Sequence, residues 1–247
     1  GLDVNRSMAE LFGKKTGLSK GKGGSMHLFD ASKKFMGGHA IVGGQLPLAA
    51  GLALSQQYEN KDGITICFFG DGSTNQGIYH ETLNLAAVWN LPILFFLENN
   101  KYGMGSSIDR VRAGGLDFFP AMNTYEIPSM EVDGMDVLAV KEATEIAREK
   151  ILKDKKPFFI ESKTFRFVGH SYADGQKYRN QDEVTVWEQK DPIIVYPKKL
   201  IELKITTNNE INKIKSEVDN IISDAIKFAS ESEEPSLNEI YDDIVAE

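Results

Sequence analysis

A chain of 247 residues, 41% hydrophobic and 26% charged, can bury one sizeable core, so one large domain with an appendage is expected. Its formal net charge of −8 gives no long-range positive field for a polyanion, despite local lysines at Lys14, Lys15, Lys20, Lys22, Lys33 and Lys34, and so argues against nucleic acid as a partner. The only cysteine, Cys67, cannot build a disulfide framework or a cysteine zinc site, and no apolar run approaches the roughly 20 residues of a membrane span, so a reducing intracellular setting without a membrane partner is expected.

Gly1 to Leu11 opens directly into a helical pattern with no initiating Met and no signal-peptide order, as a fragment of a longer chain would. Gly13 to Gly44, dense in glycine and lysine, reads as a long ordered loop, and Leu46 to Tyr58 as a helix. Ile64 to Phe69 and Ile93 to Leu97 are short, continuously apolar runs, as strands buried on both faces should be. Between them Ile78 to Trp89 carries Leu83, Ala86 and Ala87 at helical spacing, closed by Asn90 and Pro92. The pattern repeats more weakly: Met130 to Val132, an N-cap at Asp136, a helix burying Val140, Ala143, Ala147 and Ile151, then a strand from Phe158 to Thr164. Alternating β and α elements predict an α/β fold with three αβα layers and a mainly parallel central sheet. After Pro192 the composition turns to Lys, Glu, Asn and Ile. There Ile211, Ile214, Val218, Ile221, Ile222, Ala225 and Phe228 form an amphipathic helical stripe. The expected division is a domain over residues 1–191 and a helical extension over 192–247 packed on it.

Parallel sheets bind ligands beyond the carboxyl ends of their strands, which points to the loops starting at Gly70, Glu98 and Phe165. Gly70-Asp71-Gly72 closes one buried strand, and Asn99-Asn100 closes the next about thirty residues on, the span of one βαβ unit. Gly-Asp-Gly alone is a turn signal and Asn-Asn alone a loop signal. Together at two strand ends they suit a magnesium ion that keeps ligand positions for a diphosphate. The glycines beside Asp71 admit phosphates, and the helix starting near Gly77 directs its positive end toward them. His80-Glu81 lacks the second histidine of a zinc protease, since Asn84 stands there, and Gly17 to Lys22 departs from a phosphate-binding P-loop in spacing. The lysines of that loop read equally as solvated side chains or as groups that order around a cofactor or carrier domain.

Phe68-Phe69-Gly70-Asp71-Gly72 with Glu98-Asn99-Asn100-Lys101-Tyr102-Gly103-Met104-Gly105 resembles the α subunits of the 2-oxo acid and acetoin dehydrogenase E1 family, pyruvate dehydrogenases foremost. Gly21 to His27, Ile41 to Gln45, Gly169-His170-Ser171 and Tyr178-Arg179 agree, and the likeness weakens only after about Pro192. The resemblance implies thiamin diphosphate and Mg2+ as cofactors. It implies Asp71, Asn100 and the main-chain oxygen of Tyr102 as metal ligands, with Gly70, Gly72 and Ser73 along the diphosphate. Main-chain groups of Ala40 and Val42 would meet the aminopyrimidine ring, and His170, with Ser171 beside it on a mobile loop, would face the reacting end. His170 is then the candidate to steady the reacting carboxylate or assist transfer to lipoamide, whereas His27, His39 and His80 read as structural. The implied partners are an E1 β subunit in an α2β2 heterotetramer, a lipoyl-bearing E2 and a small 2-oxo acid. The compartment would be cytoplasmic in a bacterium and the mitochondrial matrix or a plastid in a eukaryote.

The sequence departs from the family where His39-Ala40 replaces Asn-Gly and where Glu126 and Ser129 replace glycines, and it does not show the Tyr-Arg pair that contacts the diphosphate upstream of Gly1. Ser171 matches a serine phosphorylated in mitochondrial relatives, whereas Lys177 stands at the second such position. Acetoin and branched 2-oxo acids are the alternative substrates. A non-catalytic scaffold homologue is the reading of another class, and the presence of Asp71 and Asn100 speaks against it.

Overall fold

Ile93 to Leu97 offers no polar side chain to either face, and it becomes the strand buried on both sides in the computed structural model, which describes residues 1–243. In chain order the elements are α1 (Val4–Leu11), α2 (Gln45–Tyr58), β1 (Thr65–Gly70), α3 (Gly77–Val88), β2 (Ile93–Asn99), β3 (Tyr102–Gly103), β4 (Ser106–Ser107), α4 (Ile108–Val111), β5 (Ser129–Asp133), α5 (Val137–Asp154), β6 (Phe158–Lys163), α6 (Gln181–Glu188), α7 (Pro192–Glu202) and α8 (Asn208–Glu231). They divide into two compact units, one of Ile41–Glu202 and one joining Gly1–Ala40 to the chain from Leu203 onward. The expected boundary at residue 191 is not where the chain divides: α7 falls in the first of these units and α8 in the other.

In the Ile41–Glu202 unit the sheet order is β1-β2-β6-β5, every pair parallel, with β3 and β4 as a separate antiparallel pair. Alternation along the strands makes two cores. Cys67, Phe69, Phe95, Leu97 and Phe159 pack with Leu46 and Ala53 of α2 and Leu83 and Ala86 of α3. Leu94, Phe96, Phe158 and Ile160 pack with Ala143, Ala147 and Ile151 of α5. The result is the expected three-layer αβα arrangement around a parallel sheet. Asp136 caps α5 as expected, accepting from the backbone N–H groups of Leu138 at 2.9 Å and Ala139 at 3.2 Å. β1 departs from its prediction: Ile66 is 40% and Phe68 56% exposed. It is an edge strand, and α5 packs chiefly against β6, β5 and β2 on that face.

In the other unit α8 packs on α1, with Ala9, Ala225 and Ala229 fully buried where the helices approach. The stripe predicted for α8 is helical, yet Ile214, Val218, Ile221 and Ile222 remain between 40 and 54% exposed. The glycine and lysine loop is ordered by a residue that the sequence reading passed over. Glu10, fully buried, accepts from the N–H groups of Ser19 (2.8 Å), Gly21 (2.9 Å), Gly23 (2.7 Å) and Gly24 (3.1 Å). A buried carboxylate is tolerated when donors surround it, and here the amides of the glycine-rich loop do so. Lys14 pairs with Glu234 at 2.5 Å, Lys20 with Asp243 at 2.7 Å and Lys15 with Glu239. Lys14, Lys15 and Lys20 thus meet the acidic carboxyl-terminal segment, while Lys15 and Lys20 stay about half exposed.

Candidate functional site

Parallel pairing of β1 with β2 sets Gly70 opposite Glu98, so both chains leave the sheet at the same end. From Gly70 the chain turns through a short 3-10 segment, Asp71–Asn75, and α3 begins at Gly77 with no side chain capping its amino terminus. The Tyr79 N–H donates to the Gln76 carbonyl at 3.1 Å, and the earlier N–H groups of the first turn, at Gly77 and Ile78, meet no side-chain cap among the described residues, which favours an anion. Asp71, Ser73 and Thr74 are buried, and the Thr74 hydroxyl fixes the turn by donating to the Asp71 carbonyl at 2.7 Å.

From β2 the chain makes a tight turn in which Lys101 is left-handed at φ 70°. Asn100 donates its backbone N–H to Asp71 Oδ1 at 3.3 Å, and its own Oδ1 accepts from Tyr102 N at 3.1 Å. A Cβ built on Gly72 would lie 3.3 Å from the Gly103 Cα, so the turn after Gly70 and the β3 hairpin approach backbone to backbone. Asp71, Gly72, Asn100 and Tyr102 are therefore brought together, with Ser73 on the same turn. The Tyr102 hydroxyl is committed to Glu183 Oε2 at 2.8 Å, which leaves the main-chain oxygen as the group this residue can offer.

Burial pushes the Asp71 carboxyl above the usual carboxylate range, opposed by the Asn100 N–H and by the charge of Arg166. The donor set is wholly oxygen: one carboxylate, one amide and main-chain carbonyls, the set a hard divalent cation prefers. Among the described residues no three His, Cys, Asp or Glu side chains gather as a metal cluster. A cation here would draw on amide and main-chain oxygens and on any phosphate it accompanies. The residues fit a metal diphosphate on these grounds.

The second part of the region runs from Arg166 to Arg179. Arg166 donates to the Met104 carbonyl and to the Tyr178 hydroxyl, both at 2.9 Å, and the Tyr178 ring lies 5.6 Å from that of Tyr102. These contacts tie the segment to the β3 hairpin. Asp174 shapes its tip by accepting from His170 N at 2.7 Å, Gln176 N at 2.9 Å and the Tyr178 hydroxyl at 2.7 Å. Those three donors hold its carboxyl down to about 2. Arg179 donates to the carbonyls of Phe167 and Val168. His170 and Ser171 are exposed at the tip, and the backbone of His170 is held while its ring points to no partner among the described residues.

Val42 is 54% exposed, on a bend where Gly43, at φ 83°, packs against Gln76 and Ile78 at the start of α3. Close by, Oε1 of Gln45 is buried without a hydrogen-bond partner among the described residues. Ala40 ends the other unit and is exposed. His80 contacts the Tyr125 hydroxyl at 2.8 Å.

Sequence reasoning missed Glu161, Arg166 and Asp174. Glu161 had a visible signal, a carboxylate directly after the apolar run Phe158 to Ile160 within a buried strand. The other two are ordinary loop residues whose partners lie up to 62 positions away in the chain.

Residues 1–238 match the family described as Dehydrogenase E1 component. The chain is 43% identical over 246 residues to the pyruvate dehydrogenase E1 component subunit alpha of Rhizobium meliloti (strain 1021), an alignment covering 99% of this chain and 70% of the relative. It is 38% identical over 244 residues to the protein of that name from Rickettsia felis, covering 99% and 74%. It is 44% identical over 242 residues to the testis-specific mitochondrial form of the pyruvate dehydrogenase E1 subunit alpha from Homo sapiens, covering 97% and 61%.

Proposed function

The chain belongs to the dehydrogenase E1 component family, and from that premise we propose that it is the α subunit of a pyruvate dehydrogenase, binding thiamin diphosphate through Mg2+ at Asp71, Asn100 and the main-chain oxygen of Tyr102. The family is thiamin diphosphate dependent and its relatives are oxidoreductase subunits of multienzyme complexes. Bacterial and mitochondrial relatives exist, and no helix among the described residues is long and apolar enough to cross a membrane.

The observation that carries the reading is the buried Asp71 carboxylate set against Asn100 where two parallel strands end, beside a helix amino terminus with no side-chain cap. Gly70, Gly72 and Ser73 would present backbone to the diphosphate at that terminus. Ala40 and Val42 would supply main-chain groups to the aminopyrimidine ring. Thiamin diphosphate supplies the electron sink for decarboxylating a 2-oxo acid. His170, exposed on a loop whose backbone is fixed by Asp174, would hold or pass a proton near the reacting carboxylate, with Ser171 beside it. A β subunit would complete the site in an α2β2 heterotetramer, and a lipoyl-bearing E2 would take the acyl group.

Calorimetric titration of the full-length α chain with its β partner tests the assignment. Asp71→Ala and Asn100→Ala should each abolish Mg2+-dependent binding of thiamin diphosphate, and undiminished binding would refute the site. His170→Ala should keep cofactor binding and slow turnover. A dye-reduction assay should favour pyruvate over acetoin and branched 2-oxo acids, and a clear preference for acetoin would overturn the substrate.

A further inference from the structure

We propose that Glu161 is a positioning residue for the cation site: through Asn99 it sets the turn that presents Asn100 and Tyr102 to Asp71. The inference rests on the function proposed above and concerns a residue that the binding set does not contain.

Glu161 sits in the middle of β6, fully buried, opposite Leu97 of β2 and on the same face as Phe159. A carboxylate in that place is tolerated only if its lone pairs are filled. Oε2 accepts from the N–H groups of Phe118 at 2.6 Å and Phe119 at 2.9 Å, and Oε1 accepts from Asn99 Nδ2 at 2.7 Å and from Lys163 Nζ at 2.8 Å. Lys163 in turn reaches Asp117 at 2.5 Å. A neutral core would not need this arrangement, and its cost buys geometry at the sheet end.

The bridge continues through Asn99, itself buried. Its Nδ2 is held by Glu161, and its Oδ1 accepts the N–H of Lys101 at 3.2 Å. That bond closes the turn in which Lys101 is left-handed, a conformation uncommon for residues other than glycine. The next residue along the strand end, Asn100, faces Asp71, and Tyr102 follows two positions later. With Asn99 locked inward, Asn100 is left to turn toward the site. The same carboxylate pins the backbone at Phe118 and Phe119, so the long connection after α4 and the candidate ligand turn share one anchor. In metal sites, groups that orient the ligands without touching the ion change affinity about 10- to 100-fold when removed.

The variant Glu161→Gln keeps the volume but turns an amide donor toward other donors. In the α chain assembled with its β partner, thiamin diphosphate binding is titrated against Mg2+ by calorimetry, alongside thermal melting. The Mg2+ concentration needed for half-maximal binding should rise about tenfold or more. Phe159→Leu, a core change on the same strand, controls for lost stability and should leave that concentration unchanged. Should Glu161→Gln fail to fold, Asn99→Ser breaks the same bridge from its other end and should give the same rise. An unchanged Mg2+ requirement in the folded variant, or an equal rise in Phe159→Leu, overturns the inference. Undiminished binding in Asp71→Ala is a different result: it would refute the cation site itself.

Discussion

Replacing Asp71 with asparagine should separate what this residue does for the fold from what it does for the cofactor. The side chain is 3% exposed and accepts one hydrogen bond from another residue, at 3.3 Å from the Asn100 N–H. One long bond does not repay the desolvation of a carboxylate, and burial accordingly raises its pKa. Asparagine has nearly the same shape and keeps an acceptor for that N–H while removing the charge. The apo variant should therefore be as stable as the wild type or more stable by about 1 kcal/mol. For a chain of this length that is a rise of roughly 2–4 °C in Tm. The ligand effect runs the other way. At about 100 times its Kd, a cofactor that binds only the folded state adds about 2.7 kcal/mol, and this increment should disappear in Asp71→Asn. Thermal melts with and without Mg2+ and thiamin diphosphate, on the α chain assembled with its β partner, read both quantities. A large drop in apo stability would show the carboxylate to be a structural group, and a surviving ligand shift would show that it does not anchor the metal; either result refutes the reasoning.

Glu10→Ala should cost about 3–5 kcal/mol, because four backbone donors lose one buried acceptor; denaturant unfolding checks it, and a loss under about 1 kcal/mol would contradict the assigned role. Burial pushes the Cys67 thiol up to about 12, so maleimide at pH 8 should label the folded protein far more slowly than the unfolded one. As its folded value lies above its unfolded one, the thiol's contribution to stability is intact below the unfolded value and declines as pH rises toward about 12, which melts across alkaline pH would detect. Asp174→Ala releases the backbone of His170 and Gln176 and the Tyr178 hydroxyl, and trypsin should then cut faster at Lys177 and Arg179. Unchanged cleavage would mean that Arg166 and Arg179 hold the loop by themselves.

Much of the central architecture was legible because burial on a sheet face writes itself into sequence as runs and periods. Phe95 and Leu97 could not be hydrated, Ala143, Ala147 and Ile151 could face only one way on a helix, and Asp136 announced its cap. Strand ends then located Asp71 and Asn100, since one βαβ unit returns the chain to the same edge. Apolarity alone could not show that β1 lies at the edge with Phe68 exposed, because a run of hydrophobic residues does not state how many neighbours it will have. Nor could it show what α8 packs against, as a stripe records an apolar face but not its partner.

Composition, periodicity and two strand-end motifs determined the class of fold and pointed to the candidate ligand loops and the residues proposed there. Tertiary structure decided which polar groups meet. Glu10 fills an amide loop up to 14 positions on, and Glu161 holds Asn99 from 62 positions away, while even Asp174, four positions from His170, meets its partners only because the loop folds back. Hydrogen bonds act over about 3 Å and leave no period in a sequence, so such partnerships appear only when the backbone has been placed.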